Sequence, residues 1–172
     1  GVFFNKMSAS AHTRGHAHAG KVADTIMTWL EAHQRRIIND RRVLALEVSK
    51  AAQYVALEAS GIRTPKTIAV FDRQAAHDAV QQIGFPAIIK HNCAGKGLSV
   101  SLLEKEADLE DYWNNPGYEK PVDGITLIQQ YIRSPDQSIT RAEFVGGKFV
   151  YAVRVDTSQG FELCPAEVCQ VP

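Results

Sequence analysis

The residues in this sequence with the clearest chemical use run from Phe85 to Val100, FPAIIKHNCAGKGLSV. An apolar run delivers Lys90 at its end, a loop of small residues follows, and a second apolar run returns. A hairpin of this kind can fold its tip over phosphate groups. The backbone N–H groups of Gly95 and Gly97 can approach an anion closely because no side chain intervenes. Lys96 and Ser99 stand in the same loop, and Lys90 supplies a compact positive charge beside it. An ordinary glycine hairpin with a solvated lysine shows the same pattern, and the spacing matches neither a Walker loop nor a dinucleotide fingerprint. A second stretch runs from Thr126 through Gln129, Gln130, Tyr131 and Ile132, then breaks at Arg133-Ser134-Pro135-Asp136. A strand end like this can present peptide N–H and C=O groups to the edge of adenine. Taken alone, it reads better as an edge strand entering a loop.

Two other groups could bind metal. Among His12, His16 and His18, imidazoles at i and i+4 could share a face on a helix, and histidine is the commonest metal ligand. Gly15 sits among them, however, and neither carboxylate nor cysteine is close in sequence. With Thr13 and Arg14 the same segment reads as an anion- or substrate-facing loop, or as a solvated one. Cys164 and Cys169 could form half of a zinc site, but Cys93 stands alone and the histidines are distant. No metal ligands are assigned.

The elements that must position these residues follow from periodicity. Residues 2–4 read as a short buried strand and 8–20 as loop. Val22, Ile26, Trp29 and Leu30 set a helix over 22–33, and 37–39 form a strand end. A helix over 49–60 stops at Gly61, a strand follows over 67–71, and a helix over 73–83 ends at Gly84. Strands at 85–90 and 98–103 flank the glycine loop. A helix spans 106–113, and 114–124 is loop. Strands then run over 125–132, 139–145 and 148–155, with Gly146-Gly147 turning the last pair. Trp29 and Trp113 are expected in the core. This order predicts an α+β unit with antiparallel pairing, not a doubly wound parallel sheet.

Composition narrows the class. The 172 residues are 45% hydrophobic and 22% charged, which excludes wholesale disorder. Basic and acidic residues balance at 19 each, so no nucleic-acid partner held by bulk charge is expected. No apolar run approaches the ~20 residues that span a bilayer, so no membrane partner is expected. Nothing at the start reads as a secretory signal. Three cysteines in a chain of this size fit a reducing, cytoplasmic setting. Self-association is left open. The chain opens in an apolar run and stops at Val171-Pro172 with no element to finish the layer, so the expectation is of a fragment.

In order and spacing, these stretches together resemble the ATP-grasp family, most closely its RimK-like branch of carboxylate–amine ligases. The resemblance covers roughly residues 45–160. It is carried by Lys50 opening a helix that leads to Gly61 and Thr64-Pro65, and by Lys90 before the glycine loop. Ile128-Gln129-Gln130-Tyr131-Ile132 follows as a hinge, and an arginine-bearing hairpin runs from Arg141 to Arg154.

The resemblance implies an ATP-grasp fold: an N-terminal ATP-binding lobe over 41–124 and the start of an antiparallel C-terminal lobe over 125–172. Residues 1–40 would be the end of a preceding α/β domain, with ATP between the lobes. Lys50 and Lys90 would contact ATP phosphates and the adenine side, and the loop from Ala94 to Ser99 would cover the phosphates. Gln130 would face the adenine amino group, the backbone of Tyr131 and Ile132 would form the hinge contact, and Arg154 would act on a phosphate or acyl phosphate, with a cross-strand charge partner the equal alternative for Arg141 and Arg154. The activity implied joins a small-molecule or peptide carboxylate to an amine (or thiol) acceptor at the expense of ATP. The alternative is a nucleotide-binding or interaction module without catalysis.

The sequence also departs from the family pattern. Gln130 stands where the family has a carboxylate. Asp136 is the nearest candidate for ribose, although Ile139 occupies the aligned position, and Glu162 stands where an arginine is expected. Carboxylates for Mg2+ are missing after Phe161, and Glu162 and Glu167 are isolated. The Mg2+ ligands are therefore expected in an absent C-terminal segment.

Overall fold

Local sequence starts most of the elements in the computed structural model, which describes residues 1–95, 97, 99–158 and 160. In chain order these are β1 (Val2–Phe4), a 3-10 turn (Ala11–Arg14), α1 (Ala19–Ala32), β2 (Arg36–Ile38), α2 (Arg41–Glu47), α3 (Lys50–Ala59), β3 (Thr67–Val70), α4 (Arg73–Ile83), β4 (Ala87–His91), β5 (Val100–Leu103), α5 (Glu106–Asn114), β6 (Thr126–Gln130), β7 (Ser138–Val145) and β8 (Lys148–Asp156). Asp40, Ser49 and Asp72 cap α2, α3 and α4 by accepting from backbone N–H groups of the first turn. Gly84, with φ of +85°, ends α4 in a conformation that a side chain would strain.

Two compact units result. The first holds residues 1–95 and 99–131; the second holds the described residues from Ile132 onward, with Gly97. The heart of the first unit is a four-stranded sheet in the order β3-β6-β4-β5, antiparallel throughout. The mixture of this sheet with helices is the α+β class expected.

Strand parity sorts the side chains. On β4, Ala87, Ile89 and His91 are buried, while Ile88 and Lys90 are half-buried on the other face. The first face packs on α4 and α5: Ile89 and Ile128 pair across the sheet and join Val80, Leu103, Leu109 and Trp113 in the main apolar cluster. Full burial of each such aliphatic side chain contributes ~1.5–3 kcal/mol. The Nε1 of Trp113 is buried without a hydrogen-bond partner among the described residues.

Several expectations are corrected. β1 pairs with β2 in parallel, but Val2, Phe3 and Phe4 are exposed instead of buried, because a two-stranded sheet leaves its faces uncovered. Trp29 is likewise 57% exposed, on the outer face of α1. The loop expected over 8–20 contains the 3-10 turn, and α1 begins at Ala19. Periodicity gives no sign of α2, although Asp40 is a good cap signal for it. β6, expected to open the second lobe at residue 125, hydrogen-bonds to β3 and β4 inside the first sheet.

In the second unit, β7 and β8 form an antiparallel hairpin turned by Gly146 and Gly147, both at positive φ.

Candidate functional site

The second face of the first sheet carries the chemistry. Lys90 lies opposite Leu127, and Ile88 lies opposite Gln129, so Lys90 and Gln129 share that face. Lys90 Nζ donates to Gln129 Oε1 at 2.7 Å and to Tyr54 Oη at 2.7 Å, and it stands 5.3 Å from the Tyr54 ring centroid. Gln129 is itself buried, and its Nε2 donates to Thr67 Oγ1 at 2.7 Å. The Lys90 ammonium is therefore aimed by a phenol and an amide, not neutralised by a carboxylate.

Lys50 comes to the same region from α3. Tyr54 lies one helical turn after it, on the same side of the helix. Lys50 Nζ donates to the backbone oxygens of Asn92 (3.2 Å) and Ala94, the residues that lead from β4 into the glycine loop. Its pKa is lowered, first by burial and next by the neighbouring charge of Lys90. The charges of Asp123 and Glu47 act on it in the opposite sense. Each of the two ammonium groups has three N–H donors and, among the described residues, uses two on the partners just named.

The start of α3 is tied to the end of β4 by Asn92, which is 2% exposed. Its Oδ1 accepts from Ala51 N at 2.8 Å, and its Nδ2 donates to Asp123 Oδ2 at 2.7 Å and to Ser49 Oγ at 3.2 Å. The loop beyond is braced from the other side. Cys93 Sγ lies 3.5 Å from Ala9 O, and a Cβ on Gly95 would meet Ser10 Cβ at 3.6 Å. Burial pushes the Cys93 thiol pKa up, away from a reactive thiolate. Gly97 and Ser99 both have positive φ, at +80° and +58°.

The expected site residues do not all come together. Lys50, Lys90 and Gly95 are brought to one region of the first unit. Gln130 leaves that face: it is exposed at the end of β6 and lies opposite Ala87 on the other face, so parity puts Gln129 beside Lys90 instead. The N–H of Tyr131 donates to Pro86 O at 3.4 Å, which fastens the strand end to β4. In the second unit Arg154 pairs with Asp136 at 3.1 Å. Asp136 also accepts from Ser134 and Ser138, and these hydrogen bonds, the Ser134 one foremost, hold its pKa below the usual carboxylate value. Arg154 is thus a charge partner within its own hairpin unit, and Ile132 is exposed there. Lys96, Glu162, Cys164, Glu167 and Cys169 lie outside the described residues.

Sequence reasoning misses Tyr54, Asn92, Asp123 and Gln129 as site residues. The i, i+4 spacing of Lys50 and Tyr54 is a signal for the tyrosine; nothing local marks Asn92 or Asp123.

Among the described residues no three His, Cys, Asp or Glu side chains converge to hold a metal ion, and His12, His16 and His18 form no such group. No described helix is long and apolar enough to cross a membrane.

A family model for a RimK-like ATP-grasp domain matches residues 33–162. LysX of Sulfolobus acidocaldarius, an alpha-aminoadipate–LysW ligase, is 27% identical over 132 residues, which cover 73% of this chain and 45% of that protein. The LysX of Sulfurisphaera tokodaii is 28% identical over 127 residues, 73% of this chain and 44% of its own. The chain thus spans a little under half the length of these relatives. Among solved structures, a RimK domain ATP-grasp protein from Sphaerobacter thermophilus aligns with a TM-score of 0.58 at 20% identity, over 82% of this chain and 49% of that one. The D-alanine–D-alanine ligase of Helicobacter pylori aligns with a TM-score of 0.59 at 18% identity, over 84% of this chain and 42% of its own. At these identities the two structures share the fold.

Proposed function

The chain belongs to the RimK-like ATP-grasp family, and from that premise we propose that its first unit binds ATP as part of an ATP-dependent carboxylate–amine ligase. The observation that carries this reading is the pair Lys50 and Lys90. Two ammonium groups are held within each other's field, and among the described residues neither is bonded to a carboxylate and each uses two of its three donors. Such an arrangement costs free energy in the empty protein and is relieved by a polyanion such as a triphosphate. The glycine loop follows directly, and its peptide N–H groups would add to the cradle.

In the proposed reaction a carboxylate oxygen attacks the γ-phosphorus of ATP, the bond to the β–γ bridging oxygen breaks, and ADP leaves. The amine nitrogen then attacks the acyl carbon, the bond from that carbon to the phosphate oxygen breaks, phosphate leaves, and the nitrogen gives up a proton. Lys50 and Lys90 would stabilise the charge on the transferring group; positioning and electrostatics carry most of such catalysis. The relatives named LysX act on alpha-aminoadipate and LysW; the acid and acceptor for this chain are proposed only as a carboxylate and an amine.

Calorimetric titration with ATP and ADP tests the reading. Lys90→Ala and Lys50→Ala should each weaken binding about tenfold or more (~1.4 kcal/mol). Unchanged affinity in both variants would refute it.

A further inference from the structure

A chain of hydrogen bonds crosses the second face of the first sheet and ends on Lys90. It begins at Pro65, whose carbonyl oxygen accepts from Thr67 Oγ1 at 2.8 Å. Thr67 opens β3 and lies directly opposite Gln129 of β6, so the two side chains are cross-strand neighbours. Gln129 Nε2 donates to Thr67 Oγ1 at 2.7 Å, and Gln129 Oε1 accepts from Lys90 Nζ at 2.7 Å. The direction of the chain is dictated from both ends. A peptide carbonyl only accepts, so the single hydroxyl hydrogen of Thr67 is committed to Pro65. Thr67 can then only accept from Gln129, which turns the amide nitrogen toward β3. An ammonium only donates, so Lys90 demands the amide oxygen. The two demands agree on one orientation of an amide whose two ends are alike in shape. Gln129 is 6% exposed, so water cannot readily replace a lost acceptor. Without the hydroxyl at position 67 its Nε2 is left buried and unpaired, a deficit that drives the amide to turn away and release Lys90.

We propose that Thr67 is a positioning residue for the nucleotide site: through Gln129 it holds the Lys90 ammonium where ATP takes its charge. The proposal rests on the reading that Lys90 binds ATP. Thr67 stands two hydrogen bonds away from the ammonium and acts only through the amide between them. Its methyl group has no part in the chain, so serine at this position suffices, whereas valine, equal in shape and equally β-branched, removes the one atom that matters.

Calorimetric titration with ATP separates positioning from mere structural support. Thr67→Val should weaken ATP binding about fivefold, roughly the worth of one neutral hydrogen bond, and Thr67→Ser should restore the affinity. In a Lys90→Ala background Thr67→Val should change ATP affinity by less than about twofold, because the group it positions is gone. Equal factors in the two backgrounds would make Thr67 a structural residue and overturn the proposal, and so would a serine variant as weak as valine. A second measurement needs no ATP. In NMR spectra of the ligand-free chain, the 15Nζ–13Cε signal of Lys90, assigned by its absence in Lys90→Ala, should move in Thr67→Val and stay in place in Thr67→Ser. A signal that Thr67→Val leaves unmoved would overturn the chain of hydrogen bonds. A wild-type protein that does not bind ATP would overturn the nucleotide reading, and the Lys90 signal would still decide whether Thr67 positions that side chain.

Discussion

Replacing Asn92 by alanine should unfasten α3 from β4 and cost about 3 kcal/mol of stability. The magnitude follows from its partners. The hydrogen bonds to Ala51 N and Ser49 Oγ are neutral and contribute about 1 kcal/mol each. The bond to Asp123 is charge-assisted and would be worth ~1.5–3 kcal/mol if dry, but Asp123 is exposed, so the lower end applies. Removing the side chain also takes away the acceptor of the first-turn N–H of Ala51. A loss of this size is a large share of the ~5–15 kcal/mol that stabilises a domain. Urea unfolding followed by tryptophan fluorescence measures it: at ~1–3 kcal/mol per molar urea the midpoint should fall by about 1–3 M.

The exchange Asn92→Asp with Asp123→Asn restores a carboxylate facing an amide, and the carboxylate introduced on β4's end could still accept from Ala51 N. The double variant should therefore recover most of the loss, whereas Asn92→Asp alone sets two carboxylates face to face. An Asn92→Ala cost below about 1 kcal/mol, or a double variant no better than the sum of the single changes, would refute the network as a fastening. Because Asn92 O also holds Lys50 Nζ, ATP affinity should fall together with stability in Asn92→Ala and return in the exchange.

Strand parity and a helix-to-helix ion pair supply two more predictions. Gln129→Ala should weaken ATP binding about tenfold (~1.4 kcal/mol) by releasing Lys90, while Gln130→Ala, on the other face, should change it little; equal effects from the two would contradict the parity argument. His77 of α4 lies 2.8 Å from Glu106 and 2.8 Å from Glu110 of α5, and its pKa is raised above the usual value, chiefly by the Glu106 hydrogen bond. A folded pKa above the unfolded one means that the stabilisation is complete below about pH 6.5 and disappears as pH rises through the raised value. The difference in melting temperature between wild type and His77→Gln should accordingly be constant in acid and shrink toward alkaline pH; a gap independent of pH would show that the imidazolium contributes nothing.

Much of this protein can be read along the chain, because much of it is decided locally. Caps at Ser49 and Asp72, the stops at Gly61 and Gly84, and the apolar runs around Lys90 and Leu127 determine where helices and strands begin and end. The ordered set of lysine, glycine loop, Gln-Tyr hinge and arginine hairpin points to an ATP-grasp fold without coordinates. Registers and partners are different. Whether Gln129 or Gln130 faces Lys90 depends on which residue of β4 lies opposite each, and a shift of one residue reverses the answer. Asn92 and Asp123 are 31 residues apart in the chain and meet only because β6 inserts between β3 and β4. The exposure of Trp29 could not be seen in its helical spacing, since periodicity marks an apolar stripe but not what covers it. The sequence by itself determined the elements and the residues able to bind phosphate; only the tertiary structure decided which of them share a face, because that choice is made by strand pairing between segments that carry no local signal of one another.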